Sequence, residues 1–142
     1  VKQMYPGHSN HVGNAVIAST TGHYGVKGVI TVDHDIEADD WDRIWWALAT
    51  RFDPKRSAQI IDRGRSTPLD PGLPIEARDI TSRILLDACT PYEWANKPNE
   101  IFMDRKVLQK VSDRWNEYGF GGTSPVAGMI NRLTRPESAK KK

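Results

Sequence analysis

The chain has 142 residues and a mass of 16.0 kDa, room for one compact domain with a core of its own. Charged residues make up 27% and hydrophobic ones 38%, too apolar for a disordered chain, and the longest apolar run, Ile44–Ala49, is far too short to span a bilayer. The formal net charge of +2 resides in the tail: residues 135–142 carry four basic groups and one acidic, leaving 16 basic and 17 acidic over residues 1–134, so the body lacks the concentrated positive footprint that nucleic acid requires.

The spacing predicts a first helix over about 11–21, capped by Ser9 or Asn10, with Val12, Ala15, Val16 and Ser19 on one stripe. Gly22, Gly25 and Gly28 break it, and the β-branched run Val29–Val32 reads as a strand ending at Asp33. Asp39 or Asp40 caps a second helix running to Arg51, whose Trp41, Ile44, Trp45 and Leu48 fall at the spacing of one buried face. Asp53-Pro54 stops it. Gln59–Asp62 is a second strand, residues 64–74 a Pro- and Gly-rich loop, and Arg83–Ala88 a third strand. A long helix over 104–118, capped by Asp104, turns Val107, Leu108, Val111 and Trp115 inward. Gly121-Gly122 is a hinge, and Ser124-Pro125 opens a short helix bearing Val126, Met129, Ile130 and Leu133. The order implies an α/β fold, a small mostly parallel sheet flanked by helices with a C-terminal helical arm. The organisation expected is an α/β domain over 1–103, an arm over 104–134 suited to oligomerisation, and a basic tail over 135–142.

The acidic stretch Asp33-His34-Asp35-Ile36-Glu37 offers metal-type donors. Neighbouring strand residues point to opposite faces, however, and the reading favoured is strand-end and cap chemistry. A metal-dependent enzyme around Asp33, His34 and Asp35 is the alternative. His8, His11 and His23 lack further ligands at structural-zinc spacing, so no metal ligand is assigned. Cys89, the single cysteine, reads as a small buried residue, and one unpaired thiol fits a reducing, cytoplasmic setting. No Gly-x-Ser-x-Gly elbow occurs; a triad is a spatial arrangement that sequence leaves open. Trp46 sits about 100° around its helix from Trp45, outside the predicted stripe, and is expected either exposed to a partner or covered by the 64–74 loop. The chain opens at Val1 with no charged-then-apolar leader and is expected to be a piece of a longer protein.

Several segments, in order, resemble the C-terminal part of the UbiD family of decarboxylases. Lys2-Gln3-Met4-Tyr5-Pro6-Gly7-His8 is similar to the family's Lys-Gln-x-Tyr-x-Gly-His, and Val29-Ile30-Thr31-Val32-Asp33-His34-Asp35-Ile36 to its strand ending in an acidic run. Asp42-Arg43-Ile44-Trp45-Trp46-Ala47-Leu48-Ala49-Thr50-Arg51, then Asp53-Pro54, resembles its x-x-(Val/Ile)-x-Trp-Ala-x-x-Thr-Arg helix. Thr67-Pro68-Leu69-Asp70-Pro71 resembles a family loop and Leu86-Asp87-Ala88 its Asp-Ala-Thr segment. Cys89 stands where the family often has Thr, His34 interrupts a run often all acidic, and residues 121–142 match no family motif. The family's Glu–Arg–Glu catalytic set and its Asn, His and Glu metal- and phosphate-holding groups lie upstream of the matching region.

The resemblance implies reversible, non-oxidative decarboxylation of an aromatic or α,β-unsaturated carboxylic acid by a longer enzyme, with this segment inactive alone. It implies prenylated FMN with a divalent metal (Mn or Mg) and potassium, held mainly by upstream domains of the same enzyme, and a homo-oligomer built through the C-terminal helices. On that analogy Thr67, Pro68 and Leu69 would line the substrate pocket, with Leu69 an apolar wall, and Thr20 and Thr21 would approach the flavin. The competing readings are local: Leu69 as a plug for its own domain's core, and Thr20 and Thr21 as a helix C-terminus. From another functional class, a non-catalytic interaction module would also use the arm and Trp46.

Overall fold

The computed structural model describes residues 1–97 and 100–134, with Arg132 described by its backbone only. They form two compact units, one ending at Lys97 and the other starting at Pro98. The basic tail expected over 135–142 lies outside the described residues.

The first unit contains helices α1 (His8–Ala18), α2 (Gly22–Gly25), α3 (Trp41–Thr50) and α4 (Pro54–Ser57) with strands β1 (Gly28–Thr31), β2 (Ala58–Arg65) and β3 (Ile80–Asp87). A 3₁₀ turn occupies Ile75–Ala77. The strands form one sheet in the order β1-β3-β2. β1 runs parallel to β3, but β2 pairs with β3 antiparallel. The sheet is therefore mixed rather than mostly parallel. The β2–β3 connection, residues 66–79, folds on itself as a loop and carries no crossover helix, so the chain returns antiparallel.

Pleating gives the two sheet faces different covers. Thr31, Arg83, Leu85 and Asp87 share the face that meets α1; Leu85 is fully buried. Gly13 permits the close approach, since a Cβ there would stand 2.3 Å from Leu85 Cδ1. On the opposite face Ile30, Val32 and Ala88 pack with Ile36, Ile44 and Ala47 under α3. Beyond α3 that face is bare: the register partners Ile60 and Ile84 are 68% and 38% exposed.

Several local expectations are corrected. α1 begins at His8 after Gly7, whose φ of 79° sets a left-handed entry; neither Ser9 nor Asn10 caps it. Its buried residues are Ser9, Gly13 and Ile17 rather than the Val12–Val16 stripe, because the small side of the helix is the one that fits the sheet. In α3, Asp40 caps as expected, accepting from Arg43 N. Its inward side is Ile44 and Ala47, while Trp41 and Trp45 are 61% and 64% exposed. Trp46 is half-buried, with the Arg43 and Arg51 guanidinium carbons 5.5 and 4.9 Å from its ring centroid. Its cover is these two cations together with the cluster of Ile36, Ile44, Ala47 and Ala88. Asp53-Pro54 ends α3 and also opens α4, with Asp53 accepting from Arg56 N. β2 continues to Arg65 through a bulge between Ile61 and Gly64, where Arg63 has a φ of 60°.

In the second unit α5 (Arg105–Asp113) is capped by Asp104 and a 3₁₀ turn follows at Trp115–Tyr118, so the predicted 104–118 helix breaks at Asp113. Leu108 is buried but Val107 is 52% exposed, and Trp115 is half-buried, stacked on Phe120 at 4.6 Å. Gly122 supplies a left-handed turn with a φ of 84° before α6 (Pro125–Leu133). Ser124 sits at the N-cap but its hydroxyl makes no capping bond. Ile130 faces α5, and Met103 N donates to Leu133 O at 2.9 Å.

The contact at Gly13 sets a test. Gly13→Ala should destabilise the chain by about 1–3 kcal/mol through overpacking against Leu85. The loss should shrink in a Leu85→Ala background, where the space exists; urea unfolding of the four variants in the cycle measures both.

Candidate functional site

The acidic stretch is an ion network. Asp33, just past β1, accepts from Gln3 Nε2 at 2.8 Å, Thr90 N at 2.8 Å and an Arg51 guanidinium nitrogen at 3.1 Å. Arg51 also holds Asp35 with two bonds of 3.1 and 2.7 Å, and Arg43 stands 3.5 Å from the same carboxylate. Burial would push the Asp35 carboxyl up, but the Arg51 hydrogen bonds and charge, with Arg43, hold it below the usual carboxylate range. The two carboxylates thus serve as anchors for α3. Among the described residues no three His, Cys, Asp or Glu side chains converge as a metal-binding set. His8 and His11 are drawn together by Tyr5, which stacks on His8 at 4.4 Å and meets His11 Nδ1 through its hydroxyl at 3.2 Å.

Cys89 is 3% exposed, as expected for a packed residue. Burial, then the nearby Asp33 and Asp87 carboxylates, pushes its thiol far above the usual range, which disfavours a nucleophilic thiolate. Asp87 is saturated by donors: Ser9 Oγ at 2.6 Å, Cys89 N at 3.0 Å and Thr31 Oγ1 at 3.4 Å. A polar recess of about 160 Å³ lies beside it, with Gln3, Ser57, Arg56 and Glu93 on its walls.

The other end of the sheet carries the predicted pocket residues. Thr20 and Thr21 form the exposed turn between α1 and α2, held by Ser19, whose hydroxyl donates to Val16 O and accepts from Gly22 N. They follow a helix C-terminus, and Thr21 is at the same time the N-cap residue of α2. The segment 66–78 is strongly tethered. Ser66 N donates to Asp79 O and Asp70 N to Thr67 O. The buried Asp70 accepts from Lys27 Nζ at 2.8 Å, Gly72 N at 2.9 Å and Ser66 Oγ at 3.4 Å. Those bonds, the Lys27 ammonium first, hold the Asp70 carboxyl below its ordinary value. Arg78 closes the far side on Pro68 O and Leu73 O. This tethered loop holds Leu69 at 85% exposure and Ile75 at 79%. Leu69 is not a plug for its own core.

Sequence reasoning missed the groups that do the tethering: Arg83, Asp70, Lys27, Arg51 and Gln3. Arg83 carries a signal, because it shares the pleat of the buried Leu85 in an apolar strand.

The sequence model of the 3-octaprenyl-4-hydroxybenzoate carboxy-lyase C-terminal domain family matches residues 1–88. The chain belongs to the UbiD family. Among solved structures, the UbiD C-terminal domain seen here is similar to the open form of vanillic acid decarboxylase from Sedimentibacter hydroxybenzoicus. The identity is 23% over 84% of this chain and 26% of that one, with a TM-score of 0.65. It is also similar to the UbiD-class enzyme HmfF from Pelotomaculum thermopropionicum, solved in complex with FMN, at 26% identity over 73% of this chain and 22% of that one, TM-score 0.61. A third likeness is to the 3,4-dihydroxybenzoic acid decarboxylase of Enterobacter cloacae, 21% identical over 84% of this chain and 25% of that one, TM-score 0.60. The chain thus spans about a quarter of the length of the solved proteins it matches. Among the described residues no helix is long and apolar enough to cross a membrane.

The ion network predicts a pH dependence. Because the folded-state values of Asp35 and Asp70 are lowered, the stability they contribute is complete above the ordinary carboxylate value of about 3.9 and is lost as pH falls through their folded values. The thermal midpoint should therefore drop below about pH 4, and Asp35→Asn should flatten that drop. At pH 7 the same variant should lose about 1–2 kcal/mol, discounted from buried-pair values because the Asp35 side chain is 32% exposed.

Proposed function

We propose that this chain acts as the C-terminal domain of a UbiD-like carboxy-lyase that removes CO₂, reversibly and without oxidation, from an aromatic or α,β-unsaturated carboxylic acid. The single observation that carries this reading is the tethered 66–78 loop, which displays Leu69 and Ile75 away from its own core in a domain of that family. An apolar side chain held rigidly outside its own domain suits the wall of a pocket completed by another domain. Likeness to vanillic and 3,4-dihydroxybenzoic acid decarboxylases supports the aromatic class. On this reading the carboxyl leaves as CO₂ and a proton takes its place on the substrate carbon. Leu69, with Thr67 and Pro68 beside it, packs the apolar part of the acid and keeps water from it, and Thr20 and Thr21 approach the flavin.

The cofactor of this reading is prenylated FMN, with a divalent metal (Mn or Mg) and potassium. The relative solved with FMN supports a flavin. When bound, the prenylated flavin supplies the covalent chemistry, and the protein supplies orientation and exclusion of water. The donor set of this chain does not fit the divalent metal, because Asp33 and Asp35 are matched by Arg51. No ligand and no step through the metal is assigned here, and the upstream domains hold both ions. The bare sheet face at Ile60 and Ile84 suits cover by those domains. Vanillic acid decarboxylase is solved in open and closed forms, which supports a closing motion for a domain of this kind. The reading makes the enzyme cytoplasmic and this segment inactive alone.

The second reading, a non-catalytic oligomerisation module, is favoured by the second unit, where Ile101, Val107, Phe120 and Met129 are 93%, 52%, 54% and 42% exposed. The helical arm serves homo-oligomer formation in both readings.

Leu69→Ala in the full-length enzyme tests the first reading. Stability should change by less than about 0.5 kcal/mol, as for an exposed side chain. kcat/KM should fall by about tenfold, the scale of losing apolar contact with substrate. Unchanged turnover and unchanged substrate range in a decarboxylase assay with prenylated FMN would exclude the pocket wall.

A further inference from the structure

Arg83 is 5% exposed, yet no carboxylate among the described residues pairs with it. One terminal nitrogen donates to Ile17 O at 3.0 Å and Gly22 O at 3.2 Å. The other donates to Arg65 O at 2.7 Å and to His23 O. All of its terminal N–H groups are thus directed at main-chain carbonyls from two places in the sequence. Ile17 and Gly22 flank Thr20 and Thr21, and Arg65 leads straight into Ser66–Leu69. Tyr24 and Arg65 add a second link, with the guanidinium carbon 5.0 Å from the ring centroid.

A buried guanidinium without a counter-charge is costly unless oriented dipoles replace the lost water. The carbonyls near the C-terminus of α1 are such dipoles, carrying negative partial charge. Because one cation satisfies both segments, displacing either one leaves the charge undersolvated. The cation therefore resists independent movement of the two.

We infer that Arg83 is a positioning residue, one guanidinium that locks the Thr20–Thr21 turn and the Thr67–Leu69 loop into a single fixed spacing. The inference rests on the proposed function for its catalytic meaning: the flavin-side and substrate-side segments keep their distance because they share one cation. Arg83 touches neither cofactor nor substrate. Gly64 belongs to the device, since a Cβ there would come within 2.9 Å of Arg83 Nε. Arg83→Lys keeps the charge but offers a single nitrogen, and Gly64→Ala keeps the arginine but crowds it.

Amide hydrogen exchange of this chain tests the lock, with the amides of Ile30 and Leu86 reporting the sheet core. Both variants should speed exchange over residues 20–24 and 66–70 together, by about tenfold or more, while the core amides keep their protection. Exchange that rises in only one segment, in neither, or in parallel with the core overturns the inference. In the full-length enzyme, assayed well below the variant's own lowered thermal midpoint, Arg83→Lys should lower kcat/KM by about tenfold or more, the scale of a sub-ångström misplacement, with flavin content unchanged. Unchanged turnover in Arg83→Lys, beside reduced turnover in Leu69→Ala, refutes the positioning role and leaves the decarboxylase reading intact. Insensitivity of turnover to Leu69→Ala marks failure of that reading instead, and the catalytic meaning of the lock falls with it.

Discussion

A positive charge buried among carbonyls organises one end of the first unit. Arg83 extends from the central strand and collects main-chain oxygens from the end of α1, from α2 and from the end of β2. Two stretches of the sequence, 17–23 and Arg65, thereby share one electrostatic partner. The local turn chemistry at Ser19 and the tether at Asp70 are arranged around this centre, and each fixes a segment whose root Arg83 already holds. Glycines make the arrangement possible: a side chain at Gly64 would occupy the space of the arginine, and one at Gly22 would strike Val16 O.

The opposite end is organised by the reverse logic, carboxylates gripped by an arginine. Arg51, the C-cap residue of α3, reaches back to Asp33 and Asp35 at the exit of β1. α3 is thus pinned by charge at its C-terminal end and by Ile44 and Ala47 along its inner side. Trp46 covers the ion cluster with its ring, so the same two arginines that bind carboxylate also meet an aromatic face. A cluster so matched is a structural clamp, and among the described residues no three His, Cys, Asp or Glu side chains converge as a metal-binding set.

The sequence was legible where capping and β-branched runs decide. Asp40 and Asp104 cap their helices as expected, though Ser9, Asn10 and Ser124 do not, and all three strands overlap the runs Val29–Val32, Gln59–Asp62 and Arg83–Ala88. It was misleading where helical spacing was used to choose an inner face. Trp41, Ile44, Trp45 and Leu48 form a valid apolar stripe, but Ile44 and Ala47 pack inward and the two tryptophans stay outside. Periodicity reports which residues share a side; it does not say whether the neighbour lies in the same unit. Antiparallel β2 was hidden for a related reason: direction depends on residues 66–79 folding back without a crossover helix, and no local pattern announces that return. Candidate pocket residues came through family resemblance, whereas Arg83 and Lys27, which help to fix them in place, act across long sequence separations that no local motif records.

The 66–78 loop separates the residues that hold it from the residues it shows. The side chains of Asp70, Ser66 and Arg78 make the bonds, while Leu69 gives only its main-chain N–H, to Thr67 Oγ1, and the Leu69 and Ile75 side chains stand exposed. Mutational drift at 69 and 75 is therefore nearly free of folding penalty, while drift at 66, 70 or 78 is not. Related chains can diverge in the surface this loop presents while keeping its stance, so that one scaffold can carry many different exposed faces.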